Sequence, residues 1–142
     1  MGSAAMLLEQ HFKWLVDDHQ QWQNLIADDV VWELPYAPSL GHPGRLVGRE
    51  AVVRHALWFI SEVSDFRFHD AWISALADPR ESSGVVKATG QIRSTGRAYE
   101  QEYVVFLAAR DGKIAHLREY FNPVQAAVAM DAEIAAIPAG SI

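Results

Sequence analysis

A tight turn near the end of the chain, Asp111-Gly112, constrains the fold more than any other sequence feature. Asp-Gly between two apolar runs is typical of a β-hairpin, and here it joins two predicted strands. Alternation along the second strand places Glu119 on the same face as Leu117 and Phe121. A lone carboxylate on an apolar face is costly to bury. Glu119 is therefore either paired with another group or functional.

The remaining segments are assigned from the period of their apolar residues and from their prolines and glycines. In chain order we predict a helix over 7–18, a short helix over 21–27, a strand over 30–34, an irregular loop over 35–48, a helix over 49–62, strands over 66–77, 83–92, 99–109 and 113–121, and a last short helix that ends at Met130. Helices gathered on one face of a curved antiparallel sheet make an α+β domain.

Composition narrows the class of protein. The 142 residues, half of them hydrophobic, predict one domain over 1–142. Residues 1–5 are expected to be either a flexible N-terminal segment or residues added during cloning. Residues 131–142 are expected to form a C-terminal tail. A net charge of −6 without a basic run argues against nucleic acid as a partner. No apolar run is long enough to suggest a membrane span. The absence of cysteine excludes thiolate chemistry and fits a cytoplasmic protein.

Three segments carry a resemblance to a known family. They are Ala27-Asp28-Asp29, Gly48-Arg49-Glu50 and Arg118-Glu119-Tyr120-Phe121-Asn122-Pro123. Together with the order of elements, they resemble the SnoaL-like branch of the nuclear-transport-factor-two-like superfamily, which includes ketosteroid isomerase, scytalone dehydratase, polyketide cyclases and the phenazine-biosynthesis A/B proteins. The resemblance implies a cone-shaped, cystatin-like α+β barrel, in which the curved antiparallel sheet wraps the N-terminal helices around one deep apolar pocket.

The resemblance also implies roles for two residues. His55, in His55-Ala56-Leu57-Trp58, is similar to the pocket histidine of the phenazine A/B proteins, and Glu119 is similar to their acid–base glutamate. Two positions depart from the relatives. Leu34 stands where ketosteroid isomerase has its base, and Phe59 stands where the phenazine proteins have a serine. Neither of those two particular reactions is therefore implied.

Helical spacing supports a site between the third helix and the sheet. Val52, His55 and Phe59 are three and four residues apart, so they share a helix face that Glu119 would meet from the sheet. The expected pocket wall consists of Trp32, Leu34, Trp58, Phe59, Phe106, Leu117 and Phe121. Glu102 either reaches this cavity or lies at a solvated strand end. A histidine and a carboxylate in one apolar cavity can move protons, and the alternative is a satisfied His–Glu pair that only joins helix to sheet.

These observations favour a small enzyme that needs no cofactor and no metal. His55 and Glu119 would move a proton on a hydrophobic or aromatic carbonyl compound, in an isomerase, cyclase, dehydratase or condensing reaction. Two other hypotheses keep the same fold: a non-catalytic binding protein for a hydrophobic small molecule, and a structural dimerisation module. We also expect a homodimer, because the alternation that turns Glu119 inward turns His116, Arg118 and Tyr120 toward the convex sheet face.

Overall fold

The computed structural model describes residues 3–134 of the chain. Its helices are α1 (Ser3–Trp14), α2 (His19–Gln23), α3 (Arg49–Glu62) and α4 (Pro123–Met130), with a 3-10 turn at Ala37–Leu40. Its strands are β1 (Ile26–Glu33), β2 (Arg45–Val47), β3 (Val63–Ala75), β4 (Glu81–Ile92), β5 (Ala98–Arg110) and β6 (Lys113–Tyr120). Within this part of the chain, no helix is long and apolar enough to cross a membrane.

The strands form one curved, open sheet in the order β2-β1-β6-β5-β4-β3. The predicted α+β class is confirmed, and β3 to β6 form the predicted antiparallel meander. One part of the expectation was wrong. Strand β1 pairs with β6 in parallel, with Trp32 beside Leu117, so the sheet is mixed and does not close into a barrel. The predicted irregular loop over 35–48 also contains the 3-10 turn and the short strand β2.

Two β-bulges curve the edge strand β3. The pairing with β4 slips by one residue between Ser64 and Arg67, and again between His69 and Trp72. Each slip contains an aspartate in the left-handed region, Asp65 at φ 54° and Asp70 at φ 53°. Aspartate tolerates this conformation better than most residues, and a bulge increases the local twist and bend of its strand. The sheet thus acquires a concave face that can surround the helices.

Helix α1 packs into the concave face over small residues of β4. A Cβ added to Gly84 would lie 3.0 Å from the Leu8 side chain, so glycine permits the close approach of helix and strand. The Ser82 hydroxyl donates a hydrogen bond to the Ala4 carbonyl over 2.8 Å. Ala4 and Ala5 are buried. Within the segment expected to be a flexible start, residues 3–5 therefore belong to the packed helix, whereas residues 1 and 2 and the tail residues 135–142 lie outside the described range.

The C-terminal hairpin contains a turn that sequence predicted and a bulge that it did not. Asp111 and Gly112 have φ values of 53° and 74°, as a two-residue type I′ turn requires. The pairing of β5 with β6 then slips at Ala115. This bulge brings Ile114, rather than Ala115, to the buried face with Leu117. From Leu117 onward the alternation runs as predicted, so the Glu119 side chain enters the interior.

Candidate active site

A cavity lies between α3 and the concave sheet, and α4 and the 3-10 turn cover one side of it. The free space between its lining residues, counted out to the open mouth, is about 460 Å³. The residues that line it are Leu34, Ala37, Leu40, His42, His55, Trp58, Phe59, Tyr99, Tyr103, Glu119, Phe121, Ala126 and Met130. Most of these side chains are apolar, and the polar groups among them are two histidines, two tyrosines and one glutamate.

Glu119 projects into this cavity from β6. It pairs in the sheet with Val105, and Leu117 and Phe121 flank it on the strand. No side chain or backbone group in residues 3–134 forms a hydrogen bond with its carboxyl group. Burial among apolar groups disfavours the charged form and raises the pKa of Glu119 from 4.5 to about 8. At neutral pH, Glu119 is therefore a neutral carboxylic acid.

His55 faces the same cavity from α3. Its ring meets the Trp32 ring edge-to-face at 5.3 Å between centroids, and the Trp58 ring lies 5.7 Å away. Burial, with a smaller electrostatic contribution from the neighbouring His42, lowers the pKa of His55 from 6.5 to about 4. At neutral pH this imidazole is uncharged. It can accept a proton at one ring nitrogen and donate one from the other.

His55 and Glu119 do not form a hydrogen bond with each other, and no described residue forms one with the His55 ring. Both groups nevertheless line the same cavity. The pKa of each is shifted mainly by burial and not by the other group. The structure thus differs from the satisfied His–Glu pair that sequence left open as a purely structural alternative.

The sequence did not predict a tyrosine pair on β5. The Tyr99 and Tyr103 hydroxyls lie 2.8 Å apart, and both rings are buried. Burial is the main cause that raises the pKa of Tyr99 to about 12 and the pKa of Tyr103 well above its usual value. A negative charge on Glu119 would raise the pKa of both tyrosines further, so the three groups are close neighbours. At neutral pH the two tyrosines and Glu119 can act as uncharged hydrogen-bond donors. In the sequence, the alternation in Tyr99-Glu100-Gln101-Glu102-Tyr103 was the signal that could have predicted the tyrosine pair.

A glutamine fixes the segment that closes the cavity. The Gln101 side chain accepts a hydrogen bond from the Asn122 backbone N–H at 2.8 Å and donates one to the Asn122 carbonyl at 3.0 Å. The Asn122 side chain then caps α4 by accepting from the N–H groups of Val124 and Gln125. Helix α4 is thereby held where Ala126 and Met130 meet the cavity.

Most of the predicted wall residues lie where sequence placed them. Leu34, Trp58, Phe59 and Phe121 line the cavity, and Trp32 lines a neighbouring smaller cavity that His55 and Glu119 also border. Leu117 is fully buried on the same sheet face but lies in the core and does not line the cavity.

Two predicted wall residues, Phe106 and Glu102, lie on the convex face of β5. Phe106 is 42% exposed, and Glu102 is also exposed. The inward residues of this strand are instead Tyr99, Gln101, Tyr103, Val105 and Leu107. The expectation was wrong because residues 103–109 are apolar on both faces, so alternation alone could not show which set faces the interior.

Comparison with known proteins assigns the fold family. A family model for the SnoaL-like domain matches residues 10–117. The chain belongs to the SnoaL-like family. An uncharacterised PhzA/B-like protein of Pseudomonas aeruginosa is 32% identical to this SnoaL-like chain over 108 residues, which cover 76% of the chain and 75% of the relative.

Solved structures agree with the family assignment. A candidate isomerase of Bacillus subtilis superposes on this SnoaL-like chain with a TM-score of 0.82 and 26% identity, over 91% of the chain and 93% of the neighbour. A Mycobacterium tuberculosis protein crystallised with estradiol-17β-hemisuccinate superposes with a TM-score of 0.75 and 21% identity, over 88% and 98% of the two chains. The predicted resemblance to the nuclear-transport-factor-two-like superfamily is confirmed.

Proposed function

We propose that this SnoaL-like protein is a cofactor-independent enzyme that moves a proton within a hydrophobic carbonyl compound. One observation carries the proposal. Glu119 and His55 enter one apolar cavity, and neither has a hydrogen-bond partner among the described residues. Both side chains are half-buried, and a polar group that loses water without gaining a protein partner does so at a cost in free energy. A ligand that hydrogen-bonds to them would recover that cost, so both groups are suited to meet a substrate.

The two pKa shifts assign the roles. Glu119 holds its proton below about pH 8, so its carboxyl can donate a hydrogen bond to a carbonyl oxygen, as a carboxylic acid kept neutral by an apolar site does. His55 is uncharged above about pH 4 and can accept a proton from the carbon next to that carbonyl. The C–H electron pair then forms a carbon–carbon double bond, and the negative charge that develops on oxygen is stabilised by Glu119. In a substrate with a carbon–carbon double bond next to that carbon, the product of proton removal is a dienolate. Return of the proton from His55 to the far end of the dienolate moves the double bond, so the substrate is isomerised without net gain or loss.

The comparisons support this class of function at a coarser level. One structural neighbour is a candidate isomerase, and another was crystallised with a largely hydrophobic steroid derivative. The same fold hosts many unrelated functions, so the proposed reaction depends on the two unpaired groups in the cavity and not on the family.

Hydrogen–deuterium exchange at the α-carbon of a ketone tests the proposal without knowledge of the natural substrate. With acetophenone in D₂O, we expect the protein to accelerate loss of the methyl proton signal in NMR spectra. The rate should be highest between about pH 4, where His55 loses its proton, and about pH 8, where Glu119 loses its own. Saturable binding without exchange at any pH in this window would contradict the enzyme and favour the binding protein.

We further propose that two copies pair through the convex sheet face. In the strand register, Trp72 lies beside Val85, Val85 beside Val104, and Val104 beside Tyr120. This row crosses four strands, and Trp72 is 77% exposed. A continuous exposed apolar patch is typical of an interaction surface, and a second copy of the chain would cover it symmetrically.

Light scattering at micromolar concentration should give the mass of a dimer. Trp72→Glu should give a monomer that keeps its fold, because the Trp72 side chain is mostly solvent-exposed in one chain. Val47→Glu, at an exposed position on the edge strand β2, is the matched control and should remain a dimer. A monomeric wild-type protein would contradict the proposed interface.

A further inference from the structure

Helix α4 is held at its two ends by contacts of different kinds. Its first turn follows Asn122, whose backbone forms the hydrogen bonds with the Gln101 side chain described above. Gln101 is only 6% exposed, so water competes less for these hydrogen bonds than it would at the surface. Pro123 begins the helix, and its fixed φ suits that position. The N-terminal end of α4 is therefore firmly fixed to the sheet.

The C-terminal end of α4 is held by side chains of the turn between β4 and β5. The Thr95 hydroxyl donates a hydrogen bond to the Ala129 carbonyl over 2.7 Å, and the Arg97 guanidinium donates one to the Val128 carbonyl over 2.6 Å. Arg97 also lies 3.7 Å from the Asp131 carboxylate. Carbonyls in the last turn of a helix lack partners within the helix, so side chains can cap them. We call Thr95 and Arg97 the latch.

The latch stands on a well-ordered turn of the sheet. Gly96 has a φ of 72°, in the left-handed region that glycine adopts without strain. Its N–H donates a hydrogen bond to the Ile92 carbonyl over 2.8 Å, and its carbonyl accepts one from the Gln91 side chain over 3.0 Å. The turn is thus fixed to β4 independently of α4, and α4 is the partner that can move.

The packing of α4 against the rest of the protein is shallow. Its buried residues are Ala126, Ala127 and Ala129, whose small side chains bury little apolar area. On its outer face Val124 and Val128 are 55% and 61% exposed. The helix has eight residues, and so short a helix has little stability of its own. Few buried contacts and solvent-exposed hydrogen bonds are typical of segments that open locally.

The inner side of this helix is a wall of the cavity. Ala126 and Met130 both line it, and Met130 directly follows Ala129, whose carbonyl the latch holds. We propose that α4 is the lid of the cavity. Its C-terminal end moves away from the sheet when Thr95 and Arg97 release it, the helix pivots at Asn122, and a ligand enters beneath Met130. This route of entry serves an enzyme and a binding protein equally, so it does not depend on the proposed reaction.

A single cysteine under the lid measures its opening, because the chain has no cysteine of its own. Ala126→Cys places a thiol where the native side chain is 3% exposed, so a small uncharged reagent, methyl methanethiosulfonate, reaches it only when α4 opens. Thr95→Val together with Arg97→Met weakens the latch. We expect this pair to raise the rate of thiol modification about tenfold or more, because the net effect of one hydrogen bond is a several-fold change in an opening equilibrium. Mass spectrometry measures the rate.

Three matched variants separate lid opening from other effects. Arg93→Met makes the same change as Arg97→Met at an exposed residue near the same turn that is not part of the latch, and it should leave the rate unchanged. Ala37→Cys places the thiol on the 3-10 turn, at a buried position that also lines the cavity, and weakening the latch should accelerate its modification as well. Ala88→Cys, fully buried in β4, reports global unfolding and should not respond to the latch.

The same measurements can overturn the proposal. An unchanged rate for Ala126→Cys when the latch is weakened would show that Thr95 and Arg97 do not control opening. Equal acceleration of Ala88→Cys would show global unfolding, and acceleration of Ala126→Cys without Ala37→Cys would show a loosened helix that does not open the cavity. Acceleration by Gln101→Met but not by the weakened latch would place the moving end at Asn122 and contradict the pivot.

Discussion

Glu119→Gln should lower the rate of protein-catalysed α-proton exchange in acetophenone by about 10²- to 10⁴-fold, the usual contribution of a positioned acid or base. Glutamine keeps the shape of the side chain, but its amide N–H is a much weaker acid than a carboxyl O–H, so its hydrogen bond stabilises the developing oxyanion far less. The variant should fold, because no described hydrogen bond depends on the Glu119 carboxyl. The exchange rate is measured by NMR in D₂O at neutral pH.

Glu102→Gln is the matched control for this experiment. It makes the same chemical change on the neighbouring strand, but Glu102 is exposed on the convex face and does not line the cavity. We expect the exchange rate of this variant to equal that of wild type. If Glu119→Gln retained the wild-type rate within a factor of about two, less than any usual acid–base contribution, Glu119 would have no part in stabilising the oxyanion.

Glu119 should also make the protein less stable as the pH rises above neutrality. Its pKa is about 8 in the folded state and 4.5 in its ordinary state. Between these values the folded chain holds a proton that the unfolded chain has released, so the free energy of unfolding falls with increasing pH. One proton corresponds to about 1.4 kcal/mol per pH unit. From pH 6.5 to pH 8 the expected loss is therefore about 2 kcal/mol.

The histidines act in a different pH range. Burial lowers the pKa of both His11 and His55 from 6.5 to about 4, so their unfolded forms bind more protons only below about pH 6.5. They make stability increase with pH mostly in that lower window, and to a smaller extent up to about pH 7.5. Because both histidines are present in wild type and in Glu119→Gln, their contribution cancels when the two proteins are compared.

Urea denaturation at pH 6.5 and pH 8 measures this effect, with Glu119→Gln as the comparison. Glutamine does not titrate, so the variant should lack the decline of about 2 kcal/mol, and groups unchanged by the substitution cancel in the difference. The same pH dependence in both proteins would mean that the Glu119 pKa is not raised by folding.

Local periodicity predicted much of the fold. Helix α3 begins and ends at the predicted residues, Arg49 and Glu62, because its apolar residues recur at helical spacing and Gly48 precedes it. The Asp111-Gly112 turn fixed the hairpin, and alternation from Leu117 placed Glu119 on the concave face. These features depend on short-range chemistry, which a single sequence contains.

Other features depend on contacts between distant residues. The parallel pairing of β1 with β6 joins segments more than 80 residues apart, and nothing local in β1 specifies its direction. The inward face of β5 was predicted wrongly because the exposed row on the convex face makes this strand apolar on both sides. The cavity itself depends on the distance of α4 and the 3-10 turn from the sheet. The inward orientation of the tyrosine pair can be predicted only when the register of β5 is known.

Titration of the Glu119 carboxyl tests the central claim most directly. Wild-type protein containing glutamate labelled with carbon-13 at the side-chain carboxyl would be followed by NMR across the pH range, and the Glu119 signal would be assigned by its absence in Glu119→Gln. The structure predicts a midpoint near pH 8, because the cavity disfavours the charged carboxylate. A midpoint near the ordinary value of 4.5 would show an ionised Glu119 at neutral pH and contradict the proposed acid.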